Sequence, residues 1–130
     1  MPFDWNNYLV LAEELAARAD EASKRTAISR AYYFAFNLAF TRAQETAGPF
    51  LVGDNSHRWC WDKYQSTATS TGDRVSGSIW LAGDRMKRRR IKADYKSEMP
   101  RLNDEVNWTM QEAREFGDHL AILDARYPLP

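Results

Sequence analysis

"SKRTAISRAYYFAFNLAFTRAQETAGP", residues 23–49, is the stretch that decides the fold. Its small and aromatic residues recur every three or four positions, which is the spacing of one helix face. The stripe comprises Ile28, Ala31, Tyr32, Ala35, Phe36, Ala39, Phe40 and Ala43. Tyr33, Phe34 and Leu38 extend the apolar surface around the cylinder, so we expect this helix in the middle of a bundle. The pair Gly48-Pro49 predicts its end.

The remaining sequence also predicts helices and shows no strand pattern. We expect a first helix over about residues 4–19, capped by Asp4, and a third that starts at Ser56. A polar, glycine-bearing stretch, residues 66–78, predicts a loop. A fourth helix over about residues 76–92 and a fifth from Pro100 complete an all-α, antiparallel, up-and-down bundle of four to five helices.

Composition predicts one domain that spans residues 1–130. The 18 basic and 18 acidic residues cancel, which argues against a protein that coats nucleic acid by overall attraction. The single cysteine, Cys60, makes neither an internal disulfide nor a metal site alone, so we expect no metal, no cofactor and a cytoplasmic setting. We also predict no signal peptide and no membrane span.

A basic run, "RMKRRRIK" at residues 85–92, stands out from this neutral background. A helix C-terminus favours two or three positive charges, whereas this run has six. Helical spacing places four of them on one broad face, where we predict contact with RNA phosphates. These four are Arg85, Arg88, Arg89 and Lys92. A salt-bridged surface and a site for an acidic protein are the alternatives.

Polar residues inside the central helix predict a buried polar network. Arg30, Tyr33 and Asn37 share one face of an otherwise apolar helix, and a buried arginine is costly unless it is paired. Asp94 is the partner that we expect for Arg30, in a position that locks the turn after the basic helix. Alternatively, Arg30 and Asn37 line an internal nucleotide pocket.

The tryptophans and histidines give weaker signals. Trp59 and Trp61 lie two positions apart on different faces of a helix, so one of them should be exposed and mark a dimer or partner interface. His57 lies at a helix start, where the dipole disfavours its charged form. We interpret His57 and His119 as structural or surface residues.

Three sequence blocks, taken together, resemble the HEPN domains, which are small helical-bundle proteins. These blocks are "RTAISRAYYFAFNLA" at residues 25–39, "SHRW" at 56–59 and "RRRIKADY" at 88–95. The resemblance implies a HEPN-like bundle that works as a homodimer and is associated with RNA or nucleotides. It further implies a role in a toxin–antitoxin, CRISPR-linked or phage-defence module.

The resemblance also implies a broken catalytic motif. Cleaving HEPN members carry Arg and then His four to six residues later, and the toxin branch often has Arg-x4-His-x-Tyr. This pattern falls on Arg88, Ala93 and Tyr95, so the histidine position holds alanine. We therefore expect RNA or nucleotide binding without cleavage. Two alternatives stay open: a metal-independent endoribonuclease that uses Arg88 and Tyr95 with a histidine from elsewhere, and a purely protein-binding subunit of a defence complex.

Tyr95 has one more role that the resemblance implies. In toxin relatives paired with a minimal nucleotidyltransferase, the tyrosine of this motif accepts AMP from that partner. Tyr95 is thus a possible modification site, and a cognate nucleotidyltransferase is a possible partner. The other interpretation is that Tyr95 packs at the edge of the bundle.

Overall fold

Five helices make up the described part of this computed structural model, which covers residues 2–51, 53 and 55–128. They are α1 (Asn6–Ala16), α2 (Glu21–Ala47), α3 (Ser56–Thr71), α4 (Arg74–Tyr95) and α5 (Leu102–Arg126). No strand occurs in those residues, so the predicted all-α bundle is confirmed. Helix α2 contacts all four other helices, as its all-round apolar surface predicts.

The core is built around α2, which supplies the largest share of the buried residues. Tyr32 and Phe34 of α2 pack with Ile79 and Met86 of α4 and with Phe116 of α5, and all five are essentially inaccessible to solvent. Each such side chain contributes about 1.5–3 kcal/mol through its removal from water. The core therefore fixes α4 and α5 against the same helix.

Ion pairs show that α4 and α5 run in opposite directions. Arg85 lies against Glu112, while Lys92, further along α4, lies against Glu105, which comes earlier in α5. The six residues between these helices are a short connection, which favours antiparallel neighbours.

Helix α3 departs from the strict up-and-down order, because it runs parallel to α2. Tyr32 contacts His57 at the start of α3, and Ala39, two turns later in α2, accepts a hydrogen bond from Tyr64. The connection between Ala47 and Ser56 therefore leads the chain back along α2 before α3 begins. This crossover brings the first turn of α3 to the middle of α2.

The predicted loop at residues 66–78 is wrong, because α3 continues to Thr71 and α4 begins at Arg74. Threonine hydroxyls of α3 donate to carbonyls four residues earlier, so polar composition does not prevent a helix here. Gly72 ends α3 with φ = 72°. Asp73 then caps α4 by accepting two backbone N–H groups at 2.8 and 3.2 Å.

Two helix ends also differ from the sequence expectation. Helix α1 is shorter than residues 4–19, although Asp4 does accept a hydrogen bond from the Asn6 backbone N–H at 3.0 Å. Helix α4 extends past Lys92 to Tyr95, so Asp94 lies in its last turn and not in a turn after it. Within the described ranges, no helix is long and apolar enough to cross a membrane.

Candidate functional site

His57 is held in the first turn of α3 against the aromatic face of α2. Its ring stacks on Phe36 with 4.1 Å between ring centroids. The Tyr32 hydroxyl lies 2.6 Å from His57 Nδ1, and Trp61 Nε1 donates to that hydroxyl at 3.2 Å. The half-buried ring has no hydrogen-bond partner at Nε2 within the described residues. This nitrogen is the polar atom that His57 offers to a ligand.

The surroundings of His57 keep it neutral. The pKa of His57 is lowered from its ordinary 6.5 to about 4, chiefly by burial and also by the nearby charges of Lys87 and Arg90. The sequence predicts this direction from the helix dipole, whereas the structure attributes it to burial and to two cations of α4. A neutral imidazole next to two cations marks a site of positive potential.

Arg90 links α4 to α2 at this site. Its guanidinium donates to the Tyr33 hydroxyl, and its Cζ lies 5.2 Å from the Tyr33 ring centroid. Arg90 Nε lies 3.3 Å from an Asp94 carboxylate oxygen, but the geometry makes no hydrogen bond, and this buried nitrogen has none with any described residue. Arg90 thus retains donor capacity and is only partly compensated by Asp94.

Arg30 completes the site from α2. Its Cζ lies 4.9 Å from the Tyr8 ring centroid and 5.1 Å from that of Tyr33, an arrangement that stabilises a cation without a carboxylate. Arg30 and Lys87 form no ion pair with any described residue, whereas most basic side chains in the described ranges do. We call the assembled residues the His57 cluster; its members are Arg30, Tyr33, His57, Lys87 and Arg90.

The basic face predicted from the sequence has a different environment. Arg85 and Arg89 both pair with Glu112 of α5, and Lys92 pairs with Glu105 of the same helix. These charges stabilise the α4–α5 interface, as the salt-bridged alternative expects. That the same residues also contact RNA phosphates stays a prediction.

The residues proposed for catalysis, Arg88 and Tyr95, lie apart from this interface. Arg88 is exposed and pairs with Asp84 one turn earlier at 3.1 Å. Tyr95 is 76% exposed at the end of α4, so it does not pack at the bundle edge. Lys87 and Arg90 project to another side of α4, towards His57, and His57 is therefore closer to them than to the proposed pair. Modification of Tyr95 stays a prediction.

The predicted pair between Arg30 and Asp94 is not formed. Asp94 lies against Arg90, four residues earlier in α4, and the Tyr8 and Tyr33 rings stabilise Arg30 in its place. Asn37 donates to the Tyr33 carbonyl at 2.7 Å within α2. The expected network is thus corrected: Tyr33 belongs to the site through Arg90, and Asn37 is engaged in its own helix.

The expected exposed tryptophan is also absent. Trp61 is buried under α4, and Trp59 packs in edge-on contact with Phe40 and Phe50 at 5.7 and 5.6 Å between centroids. Lys63 covers the Trp59 ring at 5.1 Å. Trp59 is therefore an aromatic side chain at the rim of the core and gives no evidence for a dimer interface.

Five cavities in the described part of the chain are lined by no member of the His57 cluster. One of about 330 Å³ is lined by Arg42, Lys63 and Ser76, and one of about 300 Å³ by Arg85, Glu112 and His119. Neither includes Arg30 or Asn37, which the alternative of an internal nucleotide pocket requires. The described residues also contain no group of three side chains suited to hold a metal ion. The His57 cluster is thus a surface site.

Sequence reasoning missed the cluster because its parts lie far apart in the chain. Lys87 and Arg90 are three positions apart and so share a face, which is a readable signal. The parallel crossover that brings His57 to Tyr32 has no signature in the residues of either helix.

Comparisons of the chain with protein-family models, with curated proteins and with solved structures found no match. The resemblance to HEPN domains therefore stays a prediction. The described residues define the protein's class as a five-helix bundle with one crossover. This bundle presents a cationic cluster around a neutral histidine.

Proposed function

We propose that this chain binds RNA through backbone phosphates at the His57 cluster and acts as a HEPN-like component of a toxin–antitoxin or phage-defence module. One observation supports the binding site: Arg30 and Arg90 both contact the Tyr33 ring, Lys87 lies one turn before Arg90 on α4, and neither Arg30 nor Lys87 pairs with a carboxylate of the described residues. The chain as a whole is neutral, so attraction of an anionic ligand depends on a local excess of positive charge such as this one. The wider biological role rests on the sequence resemblance alone.

The form of the site favours an extended ligand. The cluster lies on the surface across three helices, α2, α3 and α4, and the described cavities do not reach it. A single strand of RNA can follow such a surface with its phosphates, and the affinity then depends on salt because counterions are released. Contacts of this kind position the strand and do not read its sequence.

Cleavage is a second candidate function, favoured by the presence of His57 beside Arg90. Metal-independent RNA cleavage needs a proton-transfer group and a cation that stabilises the phosphate, and these two residue types supply both. A low His57 pKa and the engagement of Nδ1 by Tyr32 argue for binding over turnover. The alternative pair, Arg88 and Tyr95, has no histidine in contact in the described structure.

The test measures binding of a short, fluorescein-labelled oligouridylate by anisotropy as salt rises from about 50 to 200 mM, with Lys87→Gln compared with Arg88→Gln. Lys87→Gln should weaken binding several-fold, and Arg88→Gln, its exposed neighbour, much less. Three cluster cations predict a slope of log K against log salt of about −2. A slope near about −5, with equal losses in both variants, would place the phosphates on the Arg85, Arg88, Arg89 and Lys92 face as well.

Gel analysis of the same RNA distinguishes binding from cleavage. We expect intact RNA with the parent protein in the absence of metal. Fragments that disappear in Arg90→Ala but persist in Arg88→Ala would establish cleavage at the cluster. Absence of any RNA binding would favour the third reading, a subunit that binds protein only.

A homodimer is part of the same proposal, and α4 offers a surface for it. Leu81, Asp84, Arg88, Ile91 and Tyr95 recur on the outward face of this helix, and its apolar members are exposed. If two copies pair antiparallel about an axis near the middle of α4, Asp84 faces the partner's Arg88. In that register Leu81 faces the partner's Ile91, so the face is complementary to itself.

A further inference from the structure

We infer that Tyr32 is a positioning residue that holds His57 with its proton on Nε2, so that the His57 cluster offers a ligand mainly hydrogen-bond donors and takes a phosphodiester oxygen. The choice of a phosphodiester as the ligand rests on the proposed function. The role of Tyr32 in fixing the His57 tautomer concerns the free protein alone. It assigns Tyr32, a residue of the core, to the site.

The direction of the hydrogen bonds follows from Trp61. An indole nitrogen only donates, so the contact at 3.2 Å makes the Tyr32 oxygen an acceptor towards Trp61. The Tyr32 hydroxyl proton then needs an acceptor of its own, because the residue is 0% exposed. Within the described residues that acceptor is His57 Nδ1, at 2.6 Å. A neutral imidazole that accepts at Nδ1 carries its proton on Nε2.

The protonation states support this direction. Burial raises the pKa of Tyr32 well above its usual value, so the hydroxyl keeps its proton near neutral pH. His57 is neutral under the same conditions, since burial, Lys87 and Arg90 lower its pKa. The relay therefore runs outward from Trp61 through Tyr32 to the solvent-facing nitrogen of His57.

The other members of the cluster are donors too. Arg30, Lys87 and Arg90 have no acceptor atoms. Tyr33 accepts from Arg90, which leaves its own hydroxyl proton for a ligand. The Asp94 carboxylate is an acceptor beside the cluster, and it faces Arg90. A surface on which donors predominate suits a ligand group with acceptors alone, and an ionised phosphodiester is such a group.

The same arrangement argues against two other ligands. A metal ion requires a free lone pair, and the proton on Nε2 removes the one that His57 would offer. A nucleobase edge usually presents donors as well as acceptors, and its donors would lack partners here. The site therefore fits the backbone of RNA better than its bases.

Long-range ¹H–¹⁵N NMR of histidine-labelled protein tests the inference, with His119 as internal reference. The parent should show the Nε2–H form of His57, and Tyr32→Phe should shift the population towards the other tautomer. Tyr64→Phe is the matched control, because this buried hydroxyl donates to the Ala39 carbonyl and is remote from His57. In Tyr64→Phe, the tautomer population of His57 should equal that of the parent.

Two results would overturn the role of Tyr32: an Nδ1–H form in the parent, or the same tautomer population in Tyr32→Phe. The parent spectrum alone decides the first of these, even if Tyr32→Phe does not fold. Added oligouridylate should then shift the Nε2 resonance of His57, while magnesium chloride at matched ionic strength should not. An unchanged resonance with bound RNA refutes the phosphate contact. If RNA does not bind at all, the proposed function fails while the tautomer result stands.

Discussion

At Gly83 of α4, the absence of one methyl group allows Trp61 to pack beneath the helix. A Cβ at this position would lie 2.5–2.7 Å from three carbons of the indole ring. Gly77, two turns earlier, faces Ala68 with an ordinary spacing of 3.7 Å for the same hypothetical atom. Both are helical glycines, so they differ in what an added side chain would meet and not in backbone conformation.

The substitution Gly83→Ala should destabilise the protein by about 1–3 kcal/mol, because the indole must move in a packed core. Gly77→Ala should be neutral or stabilising by up to about 1 kcal/mol, since alanine favours a helix over glycine. Urea denaturation of both variants measures the difference. Equal effects of the two substitutions would contradict the packing described for Trp61.

His57 should also make stability depend on pH. Its pKa is about 4 in the folded protein and near 6.5 when unfolded, so the unfolded chain binds the proton first as pH falls. Stability should therefore decrease as pH drops from about 6.5 through about 4. The titratable and charged groups that face the His57 ring are Tyr32 and Tyr33 of α2 and Lys87 and Arg90 of α4.

The free energy of unfolding is measured against pH for the parent and for His57→Gln, and the second curve is subtracted from the first. The carboxylates titrate in both proteins, so their contribution cancels and that of His57 remains. We expect a difference on the order of 1 kcal/mol, reduced from the full shift because the ring is partly exposed. Chemical denaturation at stepped pH provides the data. A difference in unfolding free energy that does not change with pH would show that His57 has the same pKa in the folded and unfolded states.

At the scale of elements, the basic side chains of α4 point in three directions. Towards α5 they pair with carboxylates, towards α2 and α3 they build the His57 cluster, and Arg88 points outward. Helical spacing placed the four basic residues of the predicted face together, but Arg88 does not share their contact with α5. No residue of α4 indicates that Glu105 and Glu112 of α5 pair with the other three. The sequence could therefore predict a basic patch on α4, but it could not predict that part of this patch forms the interface with α5.

The α4–α5 interface can be tested by removing one shared acceptor. Glu112→Gln should cost about 1–3 kcal/mol, because Arg85 and the mostly buried Arg89 both lose their partner. Asp62→Asn, which removes an exposed pair with Arg58, should change stability by less than about 0.5 kcal/mol. Thermal unfolding at low and high salt compares them. Similar small losses in both would mean that the interface relies on packing alone.

At the scale of the whole molecule, the bundle was predictable and the path of the chain through it was not. The apolar stripe of α2 is local information, and the structure confirms the central position that it predicts. The parallel order of α2 and α3 depends on where the connection between Ala47 and Ser56 leads, which neither stripe encodes. The His57 cluster requires this crossover, so the sequence pattern could not predict that the cluster forms.

The proposed dimer belongs to this scale as well. Sedimentation should show a parent dimer that Asp84→Arg weakens, since the substituted arginine would face the partner's Arg88. Combining it with Arg88→Asp should restore association, because the exchanged charges attract again. A parent that sediments as a monomer at tens of micromolar would rule out this interface.

The crossover also has a consequence for synthesis on the ribosome. Helix α2 leaves the exit tunnel complete well before α4, the helix that must cover it, and translation proceeds at about 5–20 residues per second. The aromatic flank of α2 is therefore uncovered for seconds in every new chain, and α3 alone cannot shield it. Exposed apolar surface of this kind favours aggregation, so we expect folding during synthesis to be most vulnerable in this interval.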